Sequence, residues 1–214
     1  MEKSMLLFGG TFDPVHNGHM IVARHVAEQG GYDRVTLIPA ATPPHKDPAE
    51  APPEDRLAML QAAVAGDPLF AVDEIELSRP GPSYTYDTLV ALRRRLGDGV
   101  ALHWMIGADM LTCLPSWHRV EEVLELARLV VAVRPPWDAR MDAIFADLEP
   151  DLGREAVARL RESVVQTPLI EISSRDIRGR VARGLSARYL VPEGVRTHIK
   201  LGGLYRGGED KSWR

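Results

Sequence analysis

Short apolar runs alternate with amphipathic segments along nearly the whole 214-residue chain, and this alternation constrains the fold more than any other feature. Apolar stretches of a few residues are typical of buried strands, whereas apolar side chains spaced three and four apart are typical of helices. Strands that alternate with helices favour a parallel sheet with helices on both faces. The sequence therefore predicts an α/β fold, a single Rossmann-like, doubly wound parallel sheet with a small C-terminal helical portion.

The individual elements follow from the same patterns. Strands are predicted at residues 5–8, 35–39, 70–77, 101–106, 129–133 and 169–172. Helices are predicted at residues 18–29, 54–65, 85–96, 120–127, 138–161 with a break at Pro150, 176–183 and 193–200. Because no repeat or long linker divides the chain, we expect one domain over residues 1–206, followed by a frayed polar tail over residues 207–214.

Composition and charge exclude several classes of protein. A formal net charge of -4 argues against a protein that coats nucleic acid. The single cysteine, Cys113, excludes an internal disulfide and a cysteine-based zinc site. No segment approaches the roughly 20 apolar residues that span a bilayer, and no signal peptide is recognisable. We therefore expect a cytoplasmic protein without nucleic-acid or membrane partners. An oligomer is compatible with the sequence but is not predicted from it.

The segment FGGTFDPVHNGH, residues 8–19, joins the first predicted strand to the first predicted helix. Its glycines Gly9 and Gly10 allow the backbone to approach a ligand closely. The N-terminus of the following helix favours an anion, because its free N–H groups and dipole are positive. Neither a Walker lysine nor a G-x-G-x-x-G pattern is present, so the segment is not a common nucleotide-binding loop.

Two histidines, His16 and His19, stand at the start of this helix and are expected to point toward the same place. They could bind a metal, pack for local reasons or contact phosphate. A metal site needs further ligands at suitable spacing, and only Asp13 is close. We therefore favour phosphate handling over metal binding.

This segment resembles the HxGH signature of the nucleotidyltransferase superfamily, which includes adenylyl- and cytidylyltransferases. HxGH alone indicates only the superfamily, but six further segments resemble bacterial nicotinate-nucleotide adenylyltransferases in the right order over nearly the whole chain. They are PPHK at 43–46, GPSYTYDTL at 81–89, IGAD at 106–109, LPSW at 114–117, ISSRDIR at 172–178 and GLY at 203–205. Arg175 departs from the family pattern, in which a small residue or threonine is more usual, and it adds a positive charge beside the expected triphosphate site.

The resemblance implies transfer of AMP from ATP to nicotinate mononucleotide in NAD biosynthesis, with nicotinate adenine dinucleotide and pyrophosphate as products. The attacking phosphate monoester has a second pKa of about 6, so it is mostly dianionic at neutral pH and needs no catalytic base. The protein must instead hold two anions in line and stabilise charge, for which we expect positively charged donors. Mg²⁺ should accompany ATP, with ligands from phosphates and water, because the sequence shows no clustered carboxylates.

The resemblance also assigns residues to these tasks. The catalytic group is His16, His19 and Arg178, with His19 closest to the α-phosphate. The ATP site comprises Gly9, Gly10, Thr11, Phe12, His16, His19, Gly107, Asp109, Arg134, Ser174 and Arg178. The mononucleotide site comprises Thr11, His45, Lys46, Ser83, Tyr84, Thr85 and Trp117. No protein side chain is assigned to a metal.

Simpler interpretations remain for several of these residues. Trp117 could be a core tryptophan, His45 and Lys46 could belong to a mobile surface loop, and the arginines near Arg178 could form a solvated helix face. Nicotinamide mononucleotide or phosphopantetheine could be the acceptor, and the chain could be a nucleotide sensor without catalysis. Release of pyrophosphate from ATP and a mononucleotide distinguishes the enzyme from the sensor.

Overall fold

A six-stranded, all-parallel sheet forms the centre of the computed structural model, which describes residues 3–43 and 48–207. The strands are β1 (Lys3–Gly10), β2 (Val35–Pro39), β3 (Phe70–Val72), β4 (Val100–Gly107), β5 (Arg128–Val133) and β6 (Val164–Gln166). Their order across the sheet is β3-β2-β1-β4-β5-β6. This is the order of a doubly wound fold, and it confirms the predicted fold class.

The strand order reverses between β1 and β4, which lie side by side in the middle of the sheet. Leu6 of β1 pairs with Val35 on one side and with His103 on the other. The chain runs from β1 outward to β3 and then returns to continue outward from β4. A crevice at the carboxyl ends of the strands is expected at such a reversal, and it is the usual ligand site of open α/β sheets.

Eight α-helices surround the sheet in the described part of the chain, and both faces are covered. They are α1 (Asn17–Gly30), α2 (Pro53–Val64), α3 (Thr85–Leu96), α4 (Val120–Leu126), α5 (Met141–Leu152), α6 (Arg154–Glu162), α7 (Ser174–Ala182) and α8 (Glu193–Gly202). Two 3₁₀ helices, Ala108–Ser116 and Asp138–Arg140, follow β4 and β5. The helices predicted from apolar spacing are confirmed, most of them to within one or two residues.

The two faces of the sheet carry separate apolar cores. Adjacent residues of β1 show the division, since Leu6 belongs to one core and Leu7 to the other, and both are fully buried. Side chains of a strand alternate between the faces, so neighbouring residues pack on opposite sides. Helices α1, α2, α7 and α8 cover the first core, and α3 to α6 cover the second.

The predicted strand at residues 169–172 is wrong. The last strand is β6, which pairs with β5 and ends at Gln166. Thr167 donates one more backbone hydrogen bond to Val133, and Pro168, which has no N–H, stops the ladder. Residues 169–172 then continue without regular structure, with Leu169 exposed over 54% of its surface.

The predicted strand at residues 70–77 is also too long, because only Phe70–Val72 is a strand. Asp73 makes the last contact with β2, and its carboxylate accepts a hydrogen bond from the Ile75 backbone N–H at 3.1 Å. An aspartate bonded to the backbone two residues on forms a turn. The chain therefore leaves the sheet at residue 73.

The long helical segment at residues 138–161 is broken three residues later than predicted. Pro150 lies inside the last turn of α5, and the break occurs at Gly153, whose φ of 79° belongs to the left-handed region. A proline near the end of a helix removes a single hydrogen bond, whereas a positive φ turns the chain away.

Two further expectations concern the chain as a whole. Over residues 3–43 and 48–207, none of the helices combines the length and the apolar character needed to cross a membrane. The predicted polar tail lies outside the described residues except for Gly207.

Candidate active site

The two histidines of the opening motif cap helix α1 and each other. His16 is the N-cap residue, and its Nδ1 accepts the backbone N–H of His19 at 3.3 Å. In return, Nδ1 of His19 accepts the backbone N–H of His16, also at 3.3 Å. The two rings stack with their centroids 3.6 Å apart and their planes at 20°. This is a capping box in which imidazoles take the places of the usual hydroxyl and carboxylate.

The reciprocal cap determines which ring nitrogen carries the proton. A nitrogen that accepts a hydrogen bond from a backbone N–H carries no hydrogen itself, so the proton of each neutral ring is on Nε2. Burial and the nearby charge of Arg134 lower the pKa of His16 to about 4. His16 is therefore uncharged at neutral pH. His16, one of the residues assigned to the phosphates, is thus a neutral donor through Nε2–H and not a positively charged one.

The backbone around the histidines is closely packed. A Cβ on Gly18 would lie 3.0 Å from Nδ1 of His16, so a larger residue would press on the capping ring. A Cβ on Gly9 would lie 2.4 Å from the Trp104 ring, closer than real side chains allow. Phe12, with a positive φ of 49°, packs its ring edge-on against that of His19 with their centroids 5.1 Å apart. The predicted residues Gly9, Phe12, His16 and His19 therefore lie together.

Helix α7 places Ser174 and Arg178 against the same segment, although they follow it by about 160 residues in sequence. The Ser174 hydroxyl donates to the Pro14 carbonyl at 2.9 Å. The Arg178 guanidinium donates to the Asp13 carbonyl at 2.8 Å and to the Glu50 carboxylate at 2.5 Å. Ser173, rather than Ser174, is the N-cap of α7, and it accepts the Asp176 backbone N–H. The structure thus brings the predicted triphosphate residues to the segment that carries the histidine pair.

Asp13 holds this arrangement together. Its buried carboxylate accepts the backbone N–H groups of Glu50 at 2.7 Å and Ala51 at 3.1 Å. It also accepts the Tyr205 hydroxyl at 2.7 Å, and it lies 3.9 Å from the Arg178 guanidinium. Burial, together with the bond to Asp13, raises the pKa of Tyr205, which therefore remains a donor. One carboxylate thus connects four separate parts of the chain.

Gly107, Asp109 and Arg134 lie at the carboxyl ends of β4 and β5, where the crevice is expected. Gly107 ends β4, and exposed Asp109 stands in the first turn of the 3₁₀ helix that follows. Arg134 follows β5 and donates to the Ile170 carbonyl. A Cβ on Gly18 would lie 3.3 Å from the Ile170 side chain, so the irregular segment 169–172 runs beside the histidine pair.

Three of the residues predicted for the mononucleotide, Ser83, Tyr84 and Thr85, form a second group at the start of α3. The Ser83 hydroxyl accepts the backbone N–H of Ala41 at 2.9 Å and of Thr42 at 3.3 Å, and Ser83 N–H donates to the Thr42 carbonyl at 2.9 Å. Tyr84 and Thr85 follow, and Thr85 is the first residue of α3. The start of α3 is thereby connected to the chain that leaves β2.

Trp117 lies just beyond the 3₁₀ helix that follows β4, half-buried against the second core. Its indole Nε1 and the Thr11 hydroxyl oxygen are both buried without a hydrogen-bond partner among the described residues. Buried polar atoms without partners are uncommon in proteins and often mark a place where a ligand or water completes the site. Both atoms belong to residues that were predicted to bind substrate.

Some predicted residues are not placed. His45 and Lys46 lie outside the described residues. Arg175 is described and exposed. In the described part of the chain, no group of three or more histidine, cysteine or acidic side chains could hold a metal ion.

Sequence reasoning missed the residues that support this site rather than line it. Arg56, on α2 and 1% exposed, donates to the carbonyls of Thr11 and Ala40 at 2.8 and 2.7 Å. Glu50 pairs with Arg178, and buried Glu76 lies beneath the start of α3. None of the three stands in a local pattern that differs from an ordinary charged surface, so the sequence carried no signal for them.

Comparison with known proteins identifies relatives over nearly the whole chain. A sequence model of the cytidylyltransferase-like family matches residues 7–180. A probable nicotinate-nucleotide adenylyltransferase of Thermomicrobium roseum is 45% identical over 201 residues, which cover 94% of this chain and 90% of the relative. A probable nicotinate-nucleotide adenylyltransferase of Serratia proteamaculans is 42% identical over 207 residues, which cover 94% of each chain.

A solved structure shows the same fold at low sequence identity. The Plasmodium falciparum nicotinic acid mononucleotide adenylyltransferase complexed with NaAD has a TM-score of 0.73 and 14% identity to this chain. The match covers 95% of this chain and 97% of that one. At this identity the likeness concerns the fold alone.

Proposed function

Because the chain belongs to the nicotinate-nucleotide adenylyltransferase family, within the cytidylyltransferase-like proteins, we propose that it transfers AMP from ATP to nicotinate mononucleotide by direct in-line attack. The phosphate oxygen of the mononucleotide attacks the α-phosphorus of ATP, and the bond to the β-phosphate oxygen breaks. The products are nicotinate adenine dinucleotide and pyrophosphate, as expected for a step in NAD biosynthesis.

The observation that carries this proposal is the reciprocal cap between His16 and His19. It fixes two neighbouring imidazoles with their protons on Nε2, at the N-terminus of a helix that follows a sheet strand. Donors held in position before reaction stabilise developing negative charge without reorganising. Since the attacking phosphate is already ionised at neutral pH, the site needs such donors and no catalytic base.

Arg178 and Ser174 are proposed to bind the β- and γ-phosphates. Arg178 donates to the Asp13 carbonyl in the segment that carries the histidine pair, and its closer carboxylate partner, Glu50, has a side chain that is 56% exposed. A guanidinium can exchange an exposed carboxylate for a triphosphate at small cost, because surface ion pairs contribute little stability. Arg134, Gly107 and Asp109 are proposed for the adenosine side of the same crevice, alongside Gly10 and Thr11.

Mg²⁺ is proposed to enter bound to the ATP phosphates. Among the described residues, no group of three or more histidine, cysteine or acidic side chains is suited to a metal ion. We therefore propose that phosphate oxygens and water supply the ligands of the ion. When bound, Mg²⁺ neutralises phosphate charge.

The cytoplasmic location of the protein also remains a prediction from the sequence.

The acceptor is proposed to bind at the start of α3, with Trp117 against its pyridine ring. The backbone N–H of Ser83 is bonded to Thr42 and that of Tyr84 to Pro82, so Thr85, with its N–H and hydroxyl, is the principal remaining donor of this segment. A donor at a helix N-terminus favours the ring carboxylate of nicotinate over the amide of nicotinamide. The amide NH₂ would be left unpaired, at a cost of about 1–3 kcal/mol. His45 and Lys46 are proposed for the acceptor phosphate from the family resemblance alone.

A coupled pyrophosphate assay with ATP, Mg²⁺ and each mononucleotide in parallel tests this proposal. We expect a kcat/KM for nicotinate mononucleotide at least about 10²-fold above that for nicotinamide mononucleotide, because each 1.4 kcal/mol is tenfold. An equal rate for the two would overturn the acceptor assignment. No pyrophosphate with either would favour a nucleotide sensor. Inversion of configuration at a chiral α-phosphorothioate of ATP checks the in-line step, and retention would contradict it.

A further inference from the structure

The buried carboxylate of Glu76 belongs to none of the groups assigned above. Glu76 is 3% exposed and lies in the irregular segment between β3 and α3. Burying a carboxylate costs stability unless its oxygens are hydrogen-bonded. Here the burial is severe enough to raise the pKa of Glu76 to about 7. We therefore expect the Glu76 carboxyl to make hydrogen bonds that an apolar side chain of the same size could not make.

The residues near the Glu76 carboxyl lie on both sides of the first residue of α3. The Thr88 hydroxyl, one turn into the helix, donates to Oε1 of Glu76 at 2.6 Å. The Ser83 hydroxyl, just before the helix, lies close enough to this carboxyl to lower its pKa, as does the charge of Arg79. Arg79 in turn donates to the Tyr84 carbonyl at 3.4 Å and to Thr88 at 3.3 Å. Tyr84 and Thr85 therefore lie between two residues that flank the same carboxyl, and Thr88 is hydrogen-bonded to it.

The Ser83 hydroxyl already accepts two hydrogen bonds, so its proton needs an acceptor nearby. A serine hydroxyl has one proton and two acceptor positions. Both acceptor positions of Ser83 are used by the backbone N–H groups of Ala41 and Thr42. Its proton is thus available only for donation, and the Glu76 carboxyl, whose pKa Ser83 lowers, is an acceptor close by. Ser83 connects the start of α3 to the chain after β2, and Glu76 accepts the hydroxyl of Thr88 inside α3.

From this geometry we propose that Glu76 is a positioning residue for the acceptor site: it holds the N-terminus of α3, and with it Tyr84 and Thr85, in register with the chain that leaves β2. Glu76 does not touch the reacting atoms. The inference rests on the proposed function, because it assumes that the mononucleotide binds between these two segments. Arg178 donates instead to Asp13 and Glu50, which lie in other segments of the chain.

Glu76→Gln tests the role directly, with Glu74→Gln as its matched control. The glutamine keeps one acceptor oxygen but presents an NH₂ group to a serine oxygen that already accepts two N–H groups. Glu74, two residues earlier, is exposed. We expect Glu76→Gln to raise the KM for nicotinate mononucleotide at least about tenfold, while the KM for ATP changes less than about twofold. Glu74→Gln should change neither constant.

A second pair of variants tests the same network without altering Glu76, in case Glu76→Gln fails to fold. Thr88→Val removes the hydroxyl and keeps the shape, whereas Thr88→Ser keeps the hydroxyl. Thr88→Val should raise the KM for the mononucleotide selectively, and Thr88→Ser should restore it to within about threefold of the wild type.

The outcomes separate this inference from the proposed function. If the wild-type protein releases no pyrophosphate with nicotinate mononucleotide, the proposed function fails. If the wild type is active but the variants raise both KM values equally, or leave both unchanged, Glu76 is only a structural residue and the inference is overturned. A selective rise for the mononucleotide in Glu76→Gln or Thr88→Val supports it.

Discussion

At the scale of single residues, each ring nitrogen of His19 has its own task. Nδ1 accepts the His16 backbone N–H and so belongs to the helix cap, while Nε2 carries the proton proposed for the α-phosphate. An amide side chain can imitate either nitrogen, because asparagine places its polar atoms near the position of Nδ1 and glutamine reaches that of Nε2. The two tasks can therefore be separated by substitution.

His19→Asn should lower kcat at least about 10²-fold, the loss typical of one preorganised donor, with little change in the melting temperature. His19→Gln should retain more activity than His19→Asn and lose more stability, up to the roughly 0.5–2 kcal/mol of a helix cap. Steady-state kinetics and thermal unfolding of both variants give the comparison. If the asparagine variant keeps a near-normal kcat, Nε2 of His19 does not stabilise the α-phosphate.

Trp117 supports a second prediction at this scale. Its ring is half-buried against the second core, so its truncation should cost stability as well as binding. Trp117→Ala should weaken binding of the mononucleotide by roughly 1–3 kcal/mol, the range for aromatic stacking on a base, and leave ATP binding nearly unchanged. Trp117→Phe, which keeps an aromatic face, should lose less. Calorimetric titration with each substrate decides, and a loss of stability without a selective loss of binding would identify a core residue.

At the scale of elements, Asp13 connects the turn before α1 to the turn after α8. Tyr205→Phe removes the bond between them but leaves Asp13 its two backbone donors and Arg178. We expect the free energy of unfolding, measured with urea, to fall by about 1.5–3 kcal/mol, the value of a hydrogen bond to a charged group. Tyr189→Phe is the control, since Tyr189 is 83% exposed. Equal stabilities of the two variants would show that the C-terminal turn is not held by Asp13.

At the scale of the whole molecule, two buried groups oppose each other in the pH dependence of stability. The pKa of His16 is lowered from 6.5 to about 4, so the unfolded chain binds the extra proton and stability is lost as the pH falls through this window. The pKa of Glu76 is raised from 4.5 to about 7, so the folded chain binds the extra proton and stability is lost as the pH rises through its window. Each effect is on the order of 3 kcal/mol at most.

Because the windows overlap, these two contributions should largely cancel between about pH 4.5 and 6.5 in the wild type. In Glu76→Gln the free energy of unfolding should rise more steeply with pH over this range than in the wild type. His16→Asn keeps a capping oxygen but loses the titrating ring. In this variant the free energy of unfolding should fall as the pH rises over the same range, relative to the wild type. Urea unfolding at several pH values measures the differences, and profiles parallel to that of the wild type would contradict both assignments.

The sequence by itself determined what depends on neighbouring residues. Apolar spacing placed the helices, the alternation of strands and helices indicated the parallel sheet, and the spacing of three between His16 and His19 brought both rings to one helix start. These features are local, since a helix or a turn is formed by residues a few positions apart. The failures were local as well: Asp73 ended a strand that the apolar pattern would have continued, and a strand was predicted after Pro168, at residues 169–172, whereas the strand β6 lies before it.

Only the tertiary structure decided which distant residues support the site and in what protonation state. Asp13 contacts residues 37, 38 and 192 positions away, and no pattern along the chain encodes these partners. Burial, which depends on the packing of the whole molecule, makes His16 neutral and raises the pKa of Glu76. The charge states at this site therefore depend on the exclusion of solvent. Solvent is excluded only once the sheet, α7 and the C-terminal turn have packed together.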